Sequence, residues 1–442
     1  MLTKSDILNL VEDEDVRFIR LQFTDMMGQM RNMAVTVSKL VDALDNKCSF
    51  DGGAVKGFDN TSDTDLFLYP DLDTFTIFPW RPHQGKVARL ICDVYTSDRK
   101  PLQSDPRLIL KRVLKEAEYK GYTFDVGPEC EFFLFKTDDD GTPTMIPNDE
   151  ARFFDLAPMD NGENCRRDIC LTLEEMGYTI ESSHHEMAPG QHEIVFSHDN
   201  ALVTADRIVT FRTVVKTLAK RNGMHATFMP KPKTDEWGSG MHLAMSLFKD
   251  GKNAFYNPEE PNKLSDIGYK FISGLLKYSS DMACITNPTV NSYKRFAPGY
   301  EAPCFTAWSE SSKSFIVRVP KTDNAEEARI ELRSPDSTSN PYLAIAACLK
   351  AGLKGIDENY GLSPAVNINP YSLTRSEREA LGVTTLPISL NAAVEAAKKS
   401  AFLKELLGEN FKNVYLAEKE AEYNDYRKTV SRWEIEKYFI QY

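Results

Sequence analysis

The chain has 442 residues, 53 Lys and Arg against 65 Asp and Glu, a net charge of −12 and 42% hydrophobic residues. This length exceeds one ordinary domain and suffices for a large core. The acidic balance excludes a general nucleic-acid binder, which needs a positive footprint, and no apolar run reaches the length of a membrane span.

The N-terminal stretch MLTKSDILNLVEDEDVRF is broken by charge and lacks the apolar core of a signal peptide. Short β-like runs follow at Val16 to Phe23 and Met33 to Val37, around a turn at Met27-Gly28. DLFLYP, TFTIFPW and VARLICDVY, within 64–95, add further strands, so residues 1–100 read as a small strand-rich domain. At TSDRKPLQSDPR the pattern changes: Ser104 or Asp105 can cap a helix with Pro106 in its first turn, and LILKRVLKEAEYKG carries helical spacing up to Gly121. A second unit, 101–442, mixes strands and helices. Helices are expected at 161–177, 200–222 and 264–280. Strands are expected at 178–183, 192–197, 241–248, 314–319 and 328–333, with ATFMPKP strand-like and the last hundred residues mainly helical. The fold class is α+β. Eight cysteines with no CxxC pair, among them Cys130, Cys284 and Cys348 in apolar settings, suggest core thiols in a reduced, cytoplasmic compartment.

The stretch VGPECEFFLF (126–135) raises a chemical question, because Glu129 and Glu131 interrupt an apolar strand. Residues two apart on a strand share a face, so both carboxylates enter one space. Burying them unpaired is costly. Glu186 and Glu193 flank the Pro189-Gly190 turn of HHEMAPGQHEIVF, Glu331 lies in ARIELRSPD, and His242 follows a Gly-rich turn in GSGMHLAMSLF. Five carboxylates with at most one imidazole suit two or three Mg²⁺ or Mn²⁺ ions; zinc would want more His or Cys. Each residue alone is an ordinary edge or surface group, and spacing does not bring them together in space. Arg295, Arg318, Arg329 and Arg333 form a second set, able to grip carboxylates and phosphates with paired hydrogen bonds. Metals plus arginines point to phosphoryl transfer. No GxxxxGK[ST] loop is present.

The ordered motifs SFDGG (49–53), GPECEFFLF (127–135), SSHHEMAPGQHEI (182–194), GSGMH (238–242), NSYKRFAPGYEAPC (291–304) and ARIELRSPDSTSNPYLAIAACLKAGLKGI (328–356) resemble type I bacterial glutamine synthetase nearly end to end. The resemblance implies an N-terminal β-grasp domain, a catalytic domain with a curved antiparallel sheet and helices, and a dodecamer of two hexamer rings with active sites between subunits. It implies one metal site at Glu131, Glu186 and Glu193 and another at Glu129, His242 and Glu331. It further implies ATP contacts at Lys313, Arg318, Arg329 and Ser246. Glutamate or phosphate contacts fall at Gly238, Arg295, Arg333 and Glu301. Catalytic roles fall to Arg295, Arg318, the flap residue Glu301, and Asp51 reaching an adjacent subunit's site.

The sequence also departs from the family. FDGGA stands for FDGSS, so Gly53 and Ala54 replace two hydroxyls. Phe153 stands for a tyrosine of the ammonium pocket, Trp237 for an asparagine on glutamate, Lys313 for an arginine near the phosphate, and Glu326 for a lysine near ATP. Asn60 stands where related enzymes carry a feedback-linked arginine. Three readings therefore stand side by side. One is glutamine synthesis from glutamate, ammonia and ATP; the second is a γ-glutamyl-amine ligase taking an organic amine; the third is a weakly active or inactive paralogue with a regulatory or assembly role. No nucleic acid or membrane partner is expected.

Overall fold

The structure is a computed structural model that describes residues 2–58, 64–81, 84–260, 262–297, 300 and 303–442. Asn60 and Glu301 lie outside the described residues.

The N-terminal part builds a five-stranded sheet in the order β2-β1-β5-β4-β3. Its strands are β1 (Val16–Thr24), β2 (Met30–Thr36), β3 (Ser49–Asp51), β4 (Asp65–Ile77) and β5 (Lys86–Tyr95). β1 runs parallel to β5, and the remaining pairs are antiparallel. DLFLYP and the TFTI of TFTIFPW, two runs in the sequence, form the single strand β4, with a register shift between Asp71 and Thr76. Helix Lys4–Asp13 starts with a capping box at Thr3 and Asp6. It buries Ile7 and Val11 against Ile19, Leu21, Leu68 and Leu90.

The larger sheet has twelve strands, with the main order β17-β14-β15-β16-β12-β6-β9-β8. These are β6 (Tyr122–Thr137), β7 (Pro143–Pro147), β8 (Ile180–His185), β9 (Gln191–Phe196), β10 (Asp199–Asn200), β11 (Met224–Thr227), β12 (Met241–Lys249), β13 (Lys252–Asn253), β14 (Phe305–Ser309), β15 (Phe315–Arg318), β16 (Ile330–Leu332) and β17 (Thr384–Thr385). β7, β10 and β11 also pair with β6, and β13 with β12. Pairing is antiparallel except for β14 and β15.

Strand alternation divides the two faces. On β6, Tyr122, Phe124, Val126, Cys130, Phe132 and Leu134 enter the main core; on β12, Met241, Leu243, Met245 and Leu247 do; on β16, Ile330 and Leu332. The helices Pro106–Tyr119, Ala201–Arg221 and Pro341–Glu358 supply the other side of that core. The first is capped by Asp105, which accepts from Arg107 N–H with Pro106 in the first turn. Cys130, Cys284 and Cys348 are buried.

Three expectations shift. The helix foreseen at 264–280 is Asp266–Lys277, followed after Tyr278 by a separate helix Ser279–Thr286. TFMPKP is strand only to Thr227, since Pro230 and Pro232 cannot donate to a ladder. The C-terminal hundred residues include a largely irregular passage between Glu358 and Arg375, broken only by the short turn Pro370–Ser372.

A carboxylate and histidine cluster between two cavities

The face of the sheet opposite the helices carries the polar residues. Register, which the sequence does not show, places them side by side. Glu129 on β6 lies opposite His242 on β12. Glu131 lies opposite Glu193 on β9, which in turn faces His184 on β8. Glu331 on β16 faces both Ala244 and Arg318. Residues directly opposed in antiparallel strands share a face, so the pleat gathers carboxylates from β6, β9 and β16 and histidines from β8 and β12.

Two groups of possible ligand atoms converge. Glu129, His242 and Glu331 have ligand atoms within 4.8 Å of one another. His242 Nδ1 lies 2.8 Å from Glu129 and 3.6 Å from Glu331. His184, Glu186 and Glu193 form the other group, with His184 Nε2 at 2.9 Å from Glu186 and 3.7 Å from Glu193. Glu131 stands between them. Its Oε2 accepts from Gln191 Nε2 at 2.9 Å and from Gly240 N–H at 3.0 Å, and its Oε1 lies 4.0 Å from His242 Nε2. The grouping of Glu131 with Glu186 and Glu193 drawn from the resemblance thus acquires His184 as a closer neighbour. The HHE triplet was the only sequence signal for that histidine.

The electrostatics of the cluster are unbalanced. Burial and the charge of Glu186 push Glu131 up to about 8. Burial and the charge of Glu131 push Glu193 up to about 10. Burial opposes ionisation of Glu129 as well, but its hydrogen bond to His242 holds it down at about 2. Burial and Arg333 lower His242, so its imidazole is the neutral form that ligates metals. Without further positive charge the cluster therefore retains protons on buried carboxyls. Oxygen donors with one or two imidazoles fit a hard divalent cation.

Arginines close the cluster on one side. Arg318 Nη1 is 3.1 Å from Glu331, and Arg333 also pairs with Glu331. Arg295 is buried and donates to the carbonyls of Ser334, Pro335 and Arg333. These bonds fix its orientation while it still lines the cavity.

Two cavities meet at Glu129. The first, of about 410 Å³, is lined by Glu129, Glu131, Glu186, Glu193, His242, Gly238, Arg295, Lys313, Arg318 and Arg333, with Phe153, Phe154 and Trp237. The second, of about 500 Å³, is lined by Glu129, Ser246 and Arg329, with Asp125, Gly127, Glu181, His198, Glu326 and Glu327. The four expected ATP contacts divide accordingly: Lys313 and Arg318 in the first, Ser246 and Arg329 in the second. The Ser246 hydroxyl is buried and donates to the Ala328 carbonyl at 2.9 Å. Arg329 donates to the Glu327 carbonyl at 3.1 Å. The His198 ring occupies the space a side chain at Gly127 would take: a Cβ there would lie 2.2 Å from it. Asp51 lines neither cavity. It is exposed at the end of β3 and accepts from Gly53 N–H at 2.9 Å.

Comparison with known proteins agrees with this architecture. Residues 15–97 match the glutamine synthetase beta-Grasp domain and residues 103–438 the glutamine synthetase catalytic domain. The glutamine synthetase of Clostridium saccharobutylicum is 53% identical over 440 residues, covering 100% of this chain and 99% of that one. That of Staphylococcus epidermidis is 51% identical over 441 residues, with 100% and 99% covered. Among solved structures, a GmaS/ADP complex superposes with a TM-score of 0.88 at 32% identity, covering 98% of this chain and 99% of that chain. The Plasmodium falciparum glutamine synthetase shares the fold, with a TM-score of 0.88 at 23% identity and 99% of each chain covered. The chain belongs to the glutamine synthetase family.

Proposed function

We propose that the protein is an ATP-dependent glutamate–ammonia ligase, forming glutamine through γ-glutamyl phosphate. The observation that carries this reading is the carboxylate and histidine cluster at the junction of two cavities, flanked by Arg295, Arg318 and Arg333. Phosphoryl transfer asks for positioning and charge neutralisation rather than covalent help, and this arrangement supplies both.

ATP enters the cavity of Ser246 and Arg329, with its phosphates directed toward Glu129, Lys313 and Arg318. The ADP bound to the similar GmaS supports a nucleotide site in this fold. Glutamate occupies the cavity of Gly238, Arg295 and Arg333. Glu129, His242 and Glu331 would hold one divalent cation, and Glu131, Glu186 and Glu193, with His184, another. Mg²⁺ or Mn²⁺ held there would supply neutralisation of the phosphates and of the developing charge of the transfer.

The γ-carboxylate oxygen attacks the γ-phosphorus, and ADP leaves. Arg333 and Arg318, anchored on Glu331, stabilise the phosphoryl oxygens. The nitrogen of ammonia then attacks the acyl carbon, and phosphate departs. Asp51 of a neighbouring subunit accepts the first proton of the ammonium ion, and Glu301 the later one. Because Asp51 lines neither cavity of its own chain, this reading takes an assembly in which a neighbouring subunit brings Asp51 to the site, and the family resemblance makes that assembly a dodecamer of two hexamer rings. The eight free cysteines agree with a cytoplasmic setting, and among the described residues no helix is long and apolar enough to cross a membrane.

Phe153 and Phe154 favour a second reading, an organic amine in place of ammonia, since both expose apolar rings where the cavity opens. One experiment separates the readings: phosphate release from ATP, Mg²⁺ and glutamate with ammonia, methylamine, ethanolamine or putrescine, followed by mass spectrometry. Glutamine as the preferred product supports the first. A γ-glutamyl-amide with ammonia ignored supports the second. No glutamate-dependent phosphate release with any acceptor would leave only a regulatory or assembly role.

A further inference from the structure

Behind the β8–β9 hairpin lies a buried polar group that the proposed reaction does not use. Asp149 is 5% exposed. Its Oδ1 accepts from His185 Nε2 at 3.0 Å and from Gly190 N–H at 2.9 Å. Its Oδ2 accepts from Asn148 Nδ2 at 3.0 Å and from Asn161 N–H at 3.2 Å. One carboxylate therefore ties the last residue of β8 to the last turn residue before β9. Gly190 allows this close approach: its φ is +69°, and a Cβ there would lie 2.6 Å from the Leu134 carbonyl oxygen and 2.9 Å from Asn148.

The segment held at both ends carries the cation-site residues. His185 Nδ1 donates to the Glu186 carbonyl at 2.8 Å. The Glu186 side chain accepts from Met187 N–H at 3.0 Å and meets His184 at 2.9 Å. Gln191, the residue after Gly190, donates from Nε2 to Glu131 at 2.9 Å and to the Gly238 carbonyl at 3.1 Å. Movement of residues 185–190 thus displaces Glu186 directly and Glu131 through Gln191.

Asp149, Asp160, His185 and His192 also have the composition of a metal centre. Arg166 argues against that use. Its guanidinium donates to Asp160 at 2.7 Å and to His192 Nδ1 at 2.9 Å, and both nitrogens of His185 are already engaged. A cation placed there would confront a buried guanidinium.

We propose that Asp149 is a positioning residue that fixes the 185–190 backbone and thereby sets the Glu186 and Glu131 carboxylates at the spacing a divalent cation requires. This rests on the cation assignment made under the proposed function. The test is direct titration of Mn²⁺ by electron paramagnetic resonance on the assembled full-length protein, comparing wild type, Asp149→Asn and Asp160→Asn. Loss of a residue that orients metal ligands typically costs about 10–100-fold in metal affinity. Asp149→Asn is expected to raise the Mn²⁺ Kd by that factor and to raise the KM for Mn²⁺, with kcat recovering at saturating metal. Asp160→Asn, on the Arg166 side, is expected to lower the thermal midpoint without moving the Kd. Should Asp149→Asn fail to assemble, His185→Gln, which can keep a donor to Asp149 but not both imidazole contacts, is expected to shift the Kd in the same direction. A wild-type Kd in Asp149→Asn, or an equal shift in Asp160→Asn, would overturn the proposal. Absence of Mn²⁺ binding in the wild type would overturn the cation assignment, and this proposal with it.

Discussion

His242 lies directly opposite Glu129 in the register of β12 and β6, with Nδ1 2.8 Å from the carboxylate. The pair is built by the pleat: His242 lies between the core residues Met241 and Leu243, while Glu129 adjoins the buried Pro128 and Cys130. We expect His242→Ala to remove a proposed cation ligand while leaving the core intact. Activity should fall by at least about 100-fold, the upper range for losing even an outer partner of a metal site. Phosphate-release assays over a Mg²⁺ titration check this; wild-type activity at ordinary Mg²⁺ would contradict the assignment of His242.

Asp105 gives a pH-dependent expectation far from the cation cluster. Burial, with the charge of Asp93 beside it, pushes its carboxyl up to about 7, whereas an unfolded Asp titrates near about 3.9. Between those values the native state holds a proton that the unfolded chain has released, so stability falls as pH rises through that window. The slope approaches about 1.4 kcal/mol per pH unit at most. Asp105→Asn removes the ionisable group while keeping one oxygen to accept from the Arg107 N–H, at the cost of the bond from the Val94 N–H. Its thermal midpoint should therefore change less between pH 4.5 and 7 than that of the wild type. Parallel pH profiles for the two proteins would show that Asp105 does not titrate in this range.

How much of this was legible in the sequence depended on range. Glu129 and Glu131 betrayed themselves by breaking an apolar alternation, and that alternation is the one the core uses. The Pro189-Gly190 turn foretold the hairpin carrying Glu186 and Glu193. Arg329, Glu331 and Arg333 share a parity, but β16 spans only Ile330–Leu332. Arg329 therefore leaves the strand and lines the second cavity, while Arg333 stays on Glu331. Asp149 was invisible because it sits in a loop and acts on residues 36 and 41 positions away. Which cavity each proposed nucleotide contact lines was equally hidden, since it depends on strand order, which no local pattern encodes.

Phe153 tests the acceptor side. Its ring is 44% exposed and meets His184 edge-on, with centroids 5.6 Å apart. A tyrosine at this half-exposed position adds a hydroxyl to the lining of the cavity. One added hydrogen bond of about 1 kcal/mol corresponds to roughly five-fold in affinity. Phe153→Tyr should lower the KM for ammonia by that factor and leave the KM for ATP unchanged. An unchanged ammonia KM would remove Phe153 from the acceptor pocket.

Gly127 tests the nucleotide side. It lies on β6 two residues before Glu129, and the His198 ring occupies the space its side chain would take. Gly127→Ala would place a Cβ 2.2 Å from that ring, well inside contact distance, so the exposed imidazole, which lines the cavity shared with Ser246 and Arg329, has to shift. Gly127 is held opposite Ala244 of β12, with β10 paired to Val126 and β9 to Glu129, so the exposed side chain of His198 gives way before the strand does. The KM for ATP should rise while the KM for glutamate, whose proposed cavity lies on the other side of Glu129, stays near its wild-type value. A rise in both would mean that the substitution shifts Glu129 itself. A rise in glutamate KM alone would reverse the assignment of the two cavities.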